Sequence, residues 1–255
     1  MMRLLPGAAE ILVTLSASDL RARYGRGPWR LVKWLVDPFA LVGVYLILVS
    51  AVLDEPGRAT GLSLACAVVP FQLLMMSVLN AMDSVRMRAP IITNMAFPRT
   101  LIPLASVITE AAAFAASLLL LAIMMAAYGV APTAATLWLP VVVGVNLALA
   151  VAVAYPATLL AVWARDMTPF VVSVVRTLFF VAPGLVALDQ ISGDGEGLVR
   201  LNPLTGVFEA YRDALLYGRA PEAWKLLWPL AVAAVVAAIF VPVFRRDQAQ
   251  LAKVA

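Results

Sequence analysis

The sequence predicts an all-α membrane protein: six transmembrane helices forming a single domain over 1–255, an N-terminal interfacial helix, a short helix between the second and third spans, and a re-entrant helix before the sixth. Three observations predict it. Hydrophobic residues make up 63% of the 255 and charged residues 13%, with a mean hydropathy of +0.94, which leaves too little polar surface to coat a soluble globule. Apolar runs of about 20 residues, enough helix to cross a hydrocarbon core roughly 30 Å thick, recur six times along the chain. Lys and Arg gather in alternate connections, as they do when one set of loops stays in the cytoplasm.

Residues 9–24, "AEILVTLSASDLRARY", place Val13, Ala17, Leu20 and Tyr24 on one helical stripe with Arg21 and Arg23 beside it, while Ile11 and Leu15 fall on another side. This reads as a helix lying in the headgroup layer, or as a basic leader whose role ends with topology. Arg3 alone precedes the apolar patch, Glu10 abuts it and no polar mature domain follows, which argues against a cleaved signal peptide. Gly25, Gly27 and Pro28 then make a turn, and Trp29, Arg30, Lys33 and Trp34 form an interfacial anchor.

The spans fall at 34–53, 61–82, 101–128, 137–163, 168–188 and 224–244, with interior prolines Pro70, Pro156, Pro183 and Pro229 that neighbouring helices can accommodate. The N-terminal arm carries Arg3, Arg21, Arg23, Arg26, Arg30 and Lys33, the second-to-third connection Arg86, Arg88 and Arg99, the fourth-to-fifth Arg165, and the tail Arg245, Arg246 and Lys253. The opposite connections hold Arg58, Arg200, Arg212, Arg219 and Lys225. This bias predicts both termini in the cytoplasm. No repeat of 20–50 residues is visible, and no sizeable soluble domain fits between the spans.

The loop 189–223 contains a helix start at Asn202-Pro203 and a stop at Gly218. Between them Leu204, Val207, Phe208, Tyr211 and Leu215 share one face and Glu209, Arg212 and Asp213 another. At about 15 residues the helix is too short to cross, so it is expected to lie on the outer surface or dip in from outside.

Several chemistries are excluded by composition. The single cysteine, Cys66, sits in an apolar run, so no intrachain disulfide or CxxC site is possible, and the absence of histidine removes His-based triads and His-metal sites. The net charge of +4 is explained by topology and does not call for nucleic acid. Asp37, Glu110 and Arg176 are ionisable groups in or near spans, hence functional candidates. Asp37 and Glu110 lie near helix ends where water reaches; Arg176, two turns into the fifth span, needs a cavity, a second subunit or an acidic partner, unless it snorkels.

The connection "SVRMRAPIITNMAFPRTLIPLASVITEAAAF" resembles the segment joining the second and third spans of ABC-type polysaccharide export permeases, exporters of O-antigen, teichoic acid or galactan. "ASDLRARYGRGPWRLVKWLVDPF" is similar to that family's interfacial helix and entry to the first span, "ARDM" to its Arg-Asp before the fifth, and "LNPLTGVFEAYRDALLYG" to its outer Asn-Pro-Leu-Thr helix. The order and spacing of these motifs cover most of the chain. The resemblance implies a permease subunit of the bacterial inner membrane that pairs with a second copy of itself and with two cytoplasmic ATPase subunits. The chain has no GxxxxGK[ST] loop, so ATP and Mg belong to those partners and the chain itself carries no cofactor and no catalytic residue.

In such a permease the interfacial helix, with Arg21, Arg23 and Tyr24, and the coupling helix at 84–94, with Arg86, Arg88, Ile91, Ile92 and Asn94, would meet the ATPase. Phe97 and Arg99 continue that surface into an elbow, where Pro98 breaks the preceding helix and Pro103 enters the first turn of the next span. Asn202, Pro203, Phe208, Tyr211 and Arg212 would belong to an outer gate. Phe71, Gln72, Phe179 and Phe180 are possible lining residues of a polymer path, although aromatics in spans more often pack in the core or face lipid. Arg176 suits the pyrophosphate of a polyprenyl-linked glycan. A permease of the same architecture for a drug, lipid or capsular polymer is the nearest rival. An integral-membrane enzyme on lipid-linked sugars is a second, against which Asp83, Glu110 and Asp166 are scattered. A structural or channel-forming membrane subunit is a third, and the spans lack the polar stripe of a simple ion pore.

Overall fold

The computed structural model describes residues 7–24, 59–94, 97–185, 187–188 and 195–248, together with positions 36, 39, 40, 42–44 and 47. Among the described residues every regular element is helical. The elements are α1 (Ala8–Tyr24), α2 (Thr60–Met87), α3 (Ala89–Asn94), α4 (Leu101–Ala127), α5 (Leu139–Trp163), α6 (Thr168–Val181), α7 (Gly195–Leu201), α8 (Pro203–Arg212) and α9 (Ala223–Asp247). Short 3-10 turns at Ala134–Trp138 and Arg165–Met167 lead into α5 and α6, and a π turn at Asp213–Tyr217 extends α8.

Among the described residues four helices are long and apolar enough to cross a membrane: α2, α4, α5 with its leading turn, and α9. The chain is a multi-pass membrane protein. They match the expected second, third, fourth and sixth spans, with α2 running five residues past the expected end at 82. Most of the expected first span, 34–53, lies outside the described residues. The fifth is shorter than expected: α6 has 14 residues and ends at Val181, about 21 Å of helix at 1.5 Å per residue, well short of the bilayer core. Pro183 lacks an N–H with which to extend it.

Helix α2 is the centre of the bundle. Residues 61–70 of it are buried nearly all round, against α4, α5, α6 and α8. Small residues explain how one helix accepts so many neighbours: Ala65, Ala67, Ser77 and Ala81 are wholly buried and keep its girth low. Polar side chains then bridge backbones, with Asn146 Nδ2 donating to the Pro70 carbonyl at 3.3 Å and Thr158 Oγ1 to the Ala81 carbonyl at 3.0 Å. Helix α8 comes closest to α9 at Gly206, where a Cβ would stand 2.8 Å from the Lys225 carbonyl oxygen.

Helices α2, α5 and α9 end, and α4 begins, on the same side of the bundle. Val85 of α2, Ile102 of α4, Tyr155 and Leu159 of α5 and Phe244 of α9 form a cluster at one end, where Tyr155 OH also donates to the Thr100 carbonyl at 3.2 Å. Arg86, Arg88, Arg99, Arg245 and Arg246 therefore share the end of the bundle that also receives α1.

Candidate functional site

The expected site residues fall into three groups. At the basic end, α1 lies along the first half of α4. Leu15 and Ser16 are buried there, and Ser16 Oγ donates to the Ala105 carbonyl at 3.2 Å. Val13, expected on the embedded stripe with Ala17 and Leu20, is 68% exposed. The second apolar side, which carries Leu15, is the one that packs on protein. Arg21 is exposed, while the side chains of Arg23, Tyr24 and Asn94 lie outside the described residues.

The segment 84–94 is not one helix: it begins as the last turn of α2, bends at Arg88 and resumes as α3. Arg86 and Met87 face outward. Arg88, expected on the same contact surface, turns inward and is 4% exposed. Its Nη1 donates to the Ile102 carbonyl at 3.0 Å and to Ser106 Oγ at 3.2 Å, and its Nη2 pairs with Asp19 of α1. Ile92 is buried with Val85 and Ile102, Phe97 packs on the same cluster, and Ile91 is half-buried. Arg99 Nη1 donates to the Gln248 carbonyl at 2.5 Å, so the expected elbow is tied to the last turn of α9. Glu110, expected near enough to the surface to be hydrated, is instead buried and accepts a hydrogen bond from Asn80 Nδ2.

Beside the middle of α2 a cavity of about 660 Å³ opens between α2, α6 and residues 40 and 44. Phe71, Gln72, Arg176, Phe179 and Phe180 all line it, the five residues singled out from sequence. The rest of the described wall is apolar, from Val68, Met75, Met76 and Leu79 with Ala40 and Val44. Phe179 is the hub of the aromatic wall, with its ring centroid 4.6 Å from Phe71, 5.4 Å from Phe180 and 5.8 Å from Phe208 of α8. Arg176 is exposed and has no ion-pair or hydrogen-bond partner among the described residues. Gln72 Oε1 is buried and accepts no hydrogen bond. Among the described residues the cavity thus presents a guanidinium and an amide oxygen without partners between aromatic faces, a combination suited to an anionic group attached to something with apolar faces.

The third group surrounds α8. Asn202 caps it, with Oδ1 accepting from Leu204 N–H at 3.0 Å and Nδ2 donating to the Leu178 carbonyl at 2.7 Å. Pro203 occupies the first turn and Gly218, at φ 65°, closes the π turn in the left-handed region. Phe208 and Tyr211 are wholly buried. On the other face of this helix Glu209, Arg212 and Asp213 are buried as well, at most 3% exposed.

Arg212 Nη1 donates to Glu209 Oε1 and to the Pro183 carbonyl, both at 2.7 Å, and Nε donates to Ser63 Oγ at 3.0 Å. Glu209 Oε1 also accepts from Leu188 N–H at 3.0 Å. One guanidinium thereby joins α8, the start of α2 and the chain just beyond α6. Asp213 accepts from Lys225 Nζ and from Arg219 Nε, each at 2.6 Å. Nearby, the Trp224 indole N–H and then the Lys225 ammonium hold the exposed Glu222 carboxyl below its ordinary range.

Sequence reasoning missed Asp19, Asn80 and the Asp213–Lys225 pair. A signal was present, since Asn80, Ser84, Ser106, Thr109 and Glu110 recur at helical spacing inside otherwise apolar runs. Lys225 reads as an ordinary loop charge until α9 begins two residues before it. Among the described residues no group of His, Cys, Asp and Glu side chains is arranged to hold a metal.

No family model matches the chain. It is 27% identical over 229 residues, 89% of its length and 88% of the relative's, to the O-antigen export system permease protein RfbA of Myxococcus xanthus. It is 24% identical over 210 residues, 82% of its length and 81% of the relative's, to the protein of the same name from Klebsiella pneumoniae. The resemblance first carried by four short motifs therefore extends over nearly the whole chain.

Proposed function

We infer from this similarity that the chain is the membrane-spanning subunit of an ABC-type polysaccharide exporter, driven by ATP hydrolysis in separate cytoplasmic subunits. The substrate we propose is a glycan carried on a polyprenyl pyrophosphate, exported across a bacterial inner membrane with both termini of this chain in the cytoplasm. The observation that carries the reading is the cavity, where Arg176, without a partner among the described residues, and the unsatisfied Gln72 amide oxygen stand among Phe71, Phe179 and Phe180.

A guanidinium in a membrane protein that lacks a counter-ion is expensive, and evolution retains such groups where a water-filled path or an anionic ligand meets them. A pyrophosphate supplies that anion, and Arg binds it through paired N–H donors. Aromatic faces give repeated weak contacts to sugar rings, which suits a polymer that must keep moving. Ser173 and Thr177 lie exposed on α6 beside Arg176. Their hydroxyls bond back to the Pro169 and Ser173 carbonyls, so it is the exposed Arg176 guanidinium that hydrocarbon covers poorly and that favours a channel between two copies of the chain.

Arg176→Ala is expected to lower glycan export and substrate-stimulated ATP hydrolysis by about 10- to 100-fold, the loss of one or two charge-assisted hydrogen bonds. Arg176→Lys should retain part of the activity. The measurement is export in membrane vesicles at equal subunit content. Export by Arg176→Ala at the unmodified rate would remove this residue from the path.

A further inference from the structure

We propose that Asp19 and Arg88 form a positioning pair that clamps the interfacial helix α1 to the turn between α2 and α3, so that the two cytoplasmic contact elements move as one body. The proposal rests on the exporter reading for its consequence and on geometry for its parts.

The last turn of α2 faces two ways. Arg86 and Met87 point outward, where a cytoplasmic partner can push on them, and the next residue, Arg88, points inward. Its single guanidinium reaches α4 through the Ile102 carbonyl at 3.0 Å and Ser106 Oγ at 3.2 Å, and α1 through Asp19. Asp19 in turn accepts from Thr109 Oγ1 of α4 at 3.5 Å. One helical turn earlier on α1, Ser16 donates to the Ala105 carbonyl at 3.2 Å.

With side chains 4% and 23% exposed, the Arg88–Asp19 pair is largely withdrawn from water, so it is screened less than a surface pair and its loss leaves a charge in a poor solvent. Without the pair, α1 would reach α4 through Ser16 and the Arg86 turn would reach it through Arg88, with no polar bond joining the two directly. With it, a push on either is delivered to the first turns of α4 through rigid, directional bonds.

The test uses membrane vesicles holding the full chain with its ATPase, and compares Asp19→Ala, Arg88→Ala, the double variant and Arg88→Lys. Each single alanine is expected to lower the glycan exported per ATP hydrolysed by about five-fold, with the double no worse than Arg88→Ala, because both remove one shared interaction. Arg88→Lys should sit between. Unchanged ratios, or single effects that multiply in the double, would overturn the proposal.

A second measurement needs no ATPase. Trypsin cleavage after Arg21 in inside-out vesicles should be about five-fold faster in Asp19→Ala if the pair holds α1 down, in line with coupling between contacting residues. Equal cleavage rates would overturn the clamp even where export falls. If the unmodified chain holds no ATPase at all, the exporter reading fails, and trypsin alone decides whether the pair clamps α1.

Discussion

Arg212→Ala is expected to destabilise the protein by about 3–5 kcal/mol, the cost of stripping one partner from a buried ion pair. Arg212 is fully buried and Glu209 is 3% exposed. With the guanidinium gone, Glu209 retains the Leu188 N–H, and the Pro183 carbonyl loses the 2.7 Å donor that fixes the chain beyond α6. A carboxylate left in that setting has lost its counter-ion in a poor solvent. The consequence reaches the cavity, because Phe208 of the same helix packs on Phe179. Thermal unfolding in detergent and the amount of protein in the membrane measure the effect. Replacing both partners, Arg212→Met with Glu209→Leu, should recover a substantial part of the loss. An Arg212→Ala protein as stable as the parent would mean that the network does not hold α8.

Asp213→Ala is the second large effect, at about 3 kcal/mol, because Lys225 would remain as a buried ammonium without its principal partner. Lys225 Nζ lies 2.6 Å from Asp213 and 3.5 Å from Glu222, and its side chain is 4% exposed while that of Glu222 is 60% exposed. The other partner of Asp213 behaves differently. Arg219 is 57% exposed, so Arg219→Ala should cost no more than about 1 kcal/mol. The same melting measurement separates the two, and equal effects would show that the Asp213–Lys225 contact carries no special weight.

The long spans were legible because a bilayer demands length and apolarity together, and both are visible in α2, α4, α5 and α9. The clustering of Arg176, Gln72 and the three phenylalanines was legible for a related reason. A lone arginine inside an apolar run is conspicuous, and aromatic neighbours on the same or a facing helix complete the wall.

Orientation within helices was less legible. Glu209, Arg212 and Asp213 share a polar face that in water would point to solvent. In this bundle that face points inward, because pairing them with one another and with Lys225 lets a short helix sink among the spans. The same rule explains Arg88: a basic residue after a span reads as a topological charge until an acid on another helix, Asp19, is found within reach. The length of α6 was misjudged because the apolar character of 182–188 continues past the point where Pro183 stops the helix.

The account turns on this chain working with a separate ATPase. Affinity purification of the tagged chain from its native membrane in mild detergent, followed by identification of the co-isolated proteins and an ATP hydrolysis assay, tests that most directly. The account predicts a nucleotide-binding subunit in fixed ratio with the chain and hydrolysis that rises with polyprenyl-linked glycan. A chain that purifies alone, with no nucleotide-binding subunit under conditions that keep it folded, would contradict it.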